Sequence, residues 1–95
     1  MIVVNVTTEG LTADGHAGYA EAGKDIVCAG VSTLIQSLVY SLEALTDDQI
    51  QYHMEPGHME VKYRDLSEQG RLLVDSFFIG LSGISAAYPE YVQLI

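Results

Sequence analysis

Asp25-Ile26-Val27-Cys28-Ala29-Gly30-Val31-Ser32, running on without interruption to Leu45, sets the architecture of this chain. From its start Cys28, Val31, Leu34, Ile35, Leu38, Val39, Leu42 and Leu45 recur at i, i+3, i+4, i+7, the spacing that lines one face of a helix. A helix with one apolar face must bury it against a sheet or another helix. Asp25 is a good N-cap, because its carboxylate can accept the amide of the third helical residue, Cys28. Thr46-Asp47-Asp48 ends the helix. Cys28, the one cysteine of the chain, therefore falls in the first turn. There the backbone amides lack intrahelical partners and the macrodipole is positive, which favours a thiolate over a thiol.

Upstream, Ile2, Val4 and Val6 alternate with Val3, Asn5 and Thr7, the period of a half-buried strand. Glu9 to Gly15, with two glycines and Asp14, reads as a turn, and His16 to Tyr19 as a short returning strand. Glu21-Ala22-Gly23-Lys24 then connects to the helix, so His16 and Cys28 flank one loop. Downstream, Ile50, Tyr52 and Met54 alternate, as do Met59, Val61 and Tyr63, about a Pro56-Gly57 pair suited to a type II turn. In that hairpin Glu55 pairs with His58 and His53 with Glu60, all four on the polar face. Ser67 caps a second helix with the stripe Leu73, Phe77, Leu81, Ile84 and Tyr88, stopped by Pro89. Its glycines, Gly70, Gly80 and Gly83, point to close backbone packing. Tyr91 to Leu94 forms a last edge strand. The expected fold is α+β, order ββαββαβ: a mostly antiparallel sheet with two helices on one face, as a single domain over residues 1–95.

Thirteen acidic against four basic residues give a formal charge of −9. That field repels phosphate backbones and anionic lipid, which argues against nucleic-acid and membrane-surface binding, and it speeds encounter with a basic partner. Solubility accounts for the same charge equally well. No apolar run is expected to span a bilayer, the N-terminal stretch lacks a basic signal region, and a lone cysteine forms no internal disulfide; a cytoplasmic protein is expected. His53, His58, Glu55 and Glu60 share a face without a recognised zinc spacing, so that face is read as solvated, with no metal and no other cofactor.

Taken alone, Cys28 is in phase with the buried stripe and packing would explain it. The conjunction of a helix-start thiol with His16 across a glycine-rich loop is what suggests nucleophilic catalysis, with His16 as acid and base and the amides of Ile26, Val27 and Cys28 as oxyanion donors. Asp25 near Cys28 opposes the thiolate by charge yet orders the turn that presents it. Ser32, one turn on, can bond near the sulfur or back to the Cys28 carbonyl.

Gly15-His16-Ala17, then Asp25 through Ser32 and a Leu-rich helix, resembles Prp, the ribosomal-processing cysteine proteases of Firmicutes and related bacteria. The resemblance implies that Cys28 and His16 are catalytic and that Asp25, Ser32 and Gly15 occupy supporting motif positions. It also implies a peptide substrate, the N-terminal extension of the large-subunit ribosomal protein numbered twenty-seven, and a homodimer. Tyr19 and Tyr40 are candidate substrate contacts. Two rivals remain: a thiol-dependent redox protein, which usually needs a resolving cysteine or an external thiol, and an acidic adaptor that binds a basic ribosomal segment without cutting it.

Overall fold

Asp25 caps the first helix through two bonds, its Oδ1 accepting the amides of Val27 at 3.0 Å and Cys28 at 2.9 Å. The computed structural model describes residues 1–95. In chain order the elements are β1 (Ile2–Thr7), β2 (Gly10–Asp14), α1 (Ile26–Leu45), β3 (Ile50–Glu55), β4 (His58–Tyr63), α2 (Glu68–Ala87) and β5 (Val92–Leu94). They build one five-stranded sheet, ordered β3-β4-β2-β1-β5. Three pairings are antiparallel, and only β1 with β5 is parallel. The α+β order ββαββαβ and the hairpin register Glu55↔His58 and His53↔Glu60 are as expected.

The second strand is not where its residue types suggest. Gly10–Asp14, expected as a turn, is β2, whereas His16 to Tyr19, expected as a strand, is loop. Gly10 is a strand residue because a Cβ there would collide with the Val61 carbonyl oxygen of the neighbouring strand, a close approach only glycine allows. Leu11 and Ala13 then turn inward onto the core while Thr12 and Asp14 face away. The loop from Gly15 onward is thereby freed to cross the end of the sheet toward α1.

Both helices are 20 residues long. Contrary to expectation, each has the length and average apolarity of a bilayer crossing. What they do is cover the sheet: Val27, Val31, Ile35, Leu38, Val39 and Leu42 of α1, with Phe77 and Leu81 of α2, join Ile2, Val4, Leu11, Val61 and Tyr63 in one buried cluster. Leu45, the last member of the α1 stripe, is exposed, because the stripe drifts off the contact face in the final turn. The helices approach each other at Gly30, under Ile84, and at Gly80, against Leu34, while Gly83 faces open space. Asp48 joins the end of α1 to the start of α2, accepting from the Ser67 amide at 2.9 Å and the Ser67 hydroxyl at 2.8 Å. Ser67 in turn accepts from the Gly70 amide.

Because β3 follows α1 back along the sheet, the β3–β4 turn returns to the start of α1. That return places the site.

Candidate active site

Cys28 lies in the first turn of α1, half-buried, its Sγ accepting a hydrogen bond from the Ala17 amide at 3.1 Å. The helix start is held by Asp25 from both sides. Oδ1 caps Val27 and Cys28, while Oδ2 accepts the amides of Tyr19 at 3.0 Å and Ala20 at 3.5 Å, fastening the loop that carries His16 to the helix that carries the sulfur. These bonds, the Cys28 amide foremost, hold the Asp25 carboxyl below its ordinary 3.8. Of its two expected roles, the capping one is what the geometry displays.

The three amides expected to be free are not equivalent. Val27 and Cys28 donate to Asp25, which removes them from the oxyanion set as the helix stands. Ile26, whose residue borders a depression shared with His16 and Cys28, keeps an uncommitted amide. Ser32 lines the cleft beside Cys28 but forms neither of the hydrogen bonds expected of it.

His16 follows Gly15, whose amide donates to the Gly57 carbonyl at 2.9 Å and ties the loop to the β3–β4 turn. The His16 carbonyl accepts from the Met1 main-chain nitrogen at 2.6 Å. Its imidazole abuts Gly57: a Cβ on Gly57 would sit 3.0 Å from Nε2. His16 and Cys28 line one cleft of about 350 Å³ with Ser32, Met54, Glu55, Pro56, Gly57 and His58, yet no hydrogen bond joins imidazole to sulfur.

Such a cleft, with a thiol at a capped helix start, an exposed imidazole and a wall made by a strand, suits attack on an extended acyl chain. A family model described as cysteine protease Prp matches residues 1–93. The chain belongs to that family. A ribosomal processing cysteine protease Prp from Staphylococcus aureus is 32% identical over 103 residues, with 99% of this chain and 97% of the relative aligned. The crystal structure of an essential ribosomal processing protease Prp from S. aureus with a covalently linked product peptide matches with a TM-score of 0.93 at 28% identity, covering 99% and 97% of the two chains. A second S. aureus structure, with a substrate peptide, gives 0.88 at 27% identity over 100% and 98%. As a Prp family member the chain is a cysteine protease.

Two features of this Prp-family cleft escaped sequence reasoning. The Ala17 amide is a backbone donor, which no side-chain pattern advertises. Gly57 was legible as a turn residue, and its φ of 80° fits, but its contact with His16 joins residues 41 positions apart. Gly57→Ala should destabilise the protein by about 1 kcal/mol or more, since alanine is strained at positive φ. It should also push the imidazole aside and lower kcat/KM by about tenfold, measurable against an unchanged active-site thiol titre.

Tyr19 is exposed yet anchored. Its ring packs edge-on against Tyr88 and Tyr91, at 5.6 and 5.3 Å between centroids, anchoring the loop to the end of α2. Tyr40 lies twelve residues along α1 from Cys28, roughly 18 Å at helical rise, beside a different depression.

On the polar face of the sheet His58 Nδ1 meets Asp14 Oδ1 at 2.5 Å, and Nε2 lies 3.6 Å from Glu60. His53 pairs with Glu55 at 3.5 Å. The four hairpin residues thus engage pairwise, His58 with a strand neighbour as well, and no cluster of three or more converges on a metal-sized point. The hydrogen bond that His58 donates to Asp14 raises His58 above its ordinary 6.5, with burial opposing and the charges of Asp14 and Glu60 adding. A raised pKa contributes stability in full below the unfolded value and loses it as pH rises through the folded one. Asp14→Asn should therefore lower Tm more at about pH 5.5 than at about pH 8.5, as read by thermal denaturation.

Proposed function

We propose that this protein is an endopeptidase of ribosomal-protein maturation in the cytoplasm, with Cys28 as nucleophile and His16 as general acid and base. One observation carries the assignment. A cysteine protease acts through a thiolate, and Cys28 is the one cysteine available, set at a capped helix start in the same cleft as His16.

In the reaction His16 takes the Sγ proton and the sulfur attacks the scissile carbonyl carbon, forming a C–S bond and an oxyanion. The uncommitted Ile26 amide at the positive end of α1 is the donor assigned to that charge in this reading. Collapse breaks the C–N bond, and the amine leaves with the proton held by His16. Water then attacks the thioester, giving its proton to His16 as the C–S bond breaks. The Ala17 amide supports the sulfur whenever it carries negative charge. Asp25 and Gly15 act as positioning residues, one ordering the helix start and the other the His16 loop.

The substrate in this reading is the N-terminal extension of the large-subunit ribosomal protein numbered twenty-seven. It is supported by the similarity to S. aureus ribosomal processing proteases, one of them solved with a substrate peptide, and by a net charge of −9, which favours encounter with a basic ribosomal protein. The same reading includes a homodimer, for which exposed Leu72 and Ile79, two turns apart on α2, supply apolar surface. Incubating a synthetic peptide of that extension with wild type and with Cys28→Ala, then weighing the products, tests the reaction. Wild type should give two fragments from a single cut and the variant none. An uncut peptide, or equal cutting by both proteins, overturns it.

A further inference from the structure

The β3 edge of the sheet is open, and its unpaired groups can be identified. In the order β3-β4-β2-β1-β5, β3 is outermost and nothing pairs with its far side. The Tyr63 amide donates to the Glu9 carbonyl and the Gly15 amide to the Gly57 carbonyl, so the odd-numbered residues of β4 and its turn bond toward β2. The even-numbered residues His58, Glu60 and Lys62 consequently bond toward β3, through their partners Glu55, His53 and Gln51. The N–H and C=O groups of Tyr52 and Met54 are left pointing outward. Unpaired groups spaced two residues apart are a template for an extended chain.

This edge leads into the cleft. Met54 and Glu55 line it with His16, Cys28 and Ser32. On α1, Cys28 and Ser32 follow at i and i+4, and both line the cleft with Met54 and Glu55 of β3. The side chains of Tyr52 and Met54 belong to the helix-facing side, opposite Val61 and Met59, and Tyr52 remains 49% exposed. The other free edge, β5, is three residues long and lies at the far side of the sheet.

We propose that the peptide substrate docks as an added strand on β3, pairing with the main chain of Tyr52 and Met54, and that this pairing delivers its scissile carbonyl to Cys28. The inference rests on the peptidase reading above and names the form in which that substrate binds. An extended, unfolded segment is the occupant, the chemistry that a strand edge recognises and a folded domain cannot supply. Main-chain pairing tolerates many sequences. Selection then falls to alternate side chains: those pointing toward α1 meet Ser32, and those on the opposite side meet His53 and Glu55.

The test uses the synthetic extension peptide with a single N-methyl group placed on each backbone amide in turn, the scissile one excepted. Two amides two residues apart on one side of the cut should each lose about tenfold in kcat/KM when methylated, the effect of one well-made hydrogen bond. The amide between them should respond little. Tyr52→Pro removes an outward donor and spares the bonds to β4, a change edge strands accept; it should raise KM with kcat nearly unchanged and circular dichroism intact. Methyl effects without a two-residue alternation, while the plain peptide is still cut in a Cys28-dependent way, overturn strand addition alone. A plain peptide that wild type does not cut overturns the substrate reading and this inference with it.

Discussion

Cys28→Ala and His16→Ala are each expected to lower kcat/KM on the extension peptide by about 10⁴-fold or more, with the fold intact. In the proposed mechanism neither residue works alone: the sulfur is to form the covalent bond, and the imidazole is to move the proton off the sulfur and onto the leaving amine. The double variant should then be scarcely worse than either single one, because the second removal takes away a partner already useless. Folding should survive, since Cys28 is half-buried at the edge of the core and His16 is exposed on a loop. Substantial cleavage by either purified variant, under conditions where wild type cuts once, would sink the assignment. Imidazole and Sγ share the cleft without a hydrogen bond between them, and the proposed proton transfer requires the two to meet when peptide is bound.

The second large effect is expected at Asp25, a positioning residue in the proposed mechanism. Asp25→Ala should cost about 10²-fold in kcat/KM, the scale of a misplacement near 1 Å at the reacting atoms. Its carboxylate gathers four amides, those of Val27 and Cys28 on the helix and those of Tyr19 and Ala20 on the loop, so its loss lets both halves of the site drift apart. Asp25→Asn should retain much of the activity, because asparagine caps helices as well as aspartate does. A merely structural role would lower Tm in both variants and leave kcat untouched in the surviving folded protein. The pH dependence has a definite sign. Since the folded Asp25 titrates below 3.8, its contribution is complete above 3.8 and is lost as pH falls through the folded value. The Tm difference between wild type and Asp25→Ala should accordingly hold constant near neutrality and shrink only in strong acid, damped throughout by solvent screening at this exposed group.

The resemblance carried by Gly15-His16-Ala17 and Asp25 through Ser32 named the right family from residues alone. Local pattern was enough for α1, its Asp25 cap, the hairpin about Pro56-Gly57, the Ser67 cap and the stop at Pro89, because each of these depends on neighbours within a few positions. It failed at β2. There glycine at position 10 answers a strand neighbour 51 residues away rather than a local turn, and no window of sequence contains that contact. The site divides along the same line. Cys28 and His16 were legible as residue types in a motif, as was the potential of Asp25 to cap the helix. That Asp25 also binds the loop, that it consumes two of the three amides read as oxyanion donors, that Ala17 faces the sulfur and that Gly57 supports the imidazole all required the chain to be folded. The physical reason is that side-chain pattern reports which face is apolar and where a helix begins, over a range of a turn or two. Which backbone amide is left free, and which glycine lies beneath which ring, depends on where α1, the loop and the hairpin meet, and tertiary packing alone determined that.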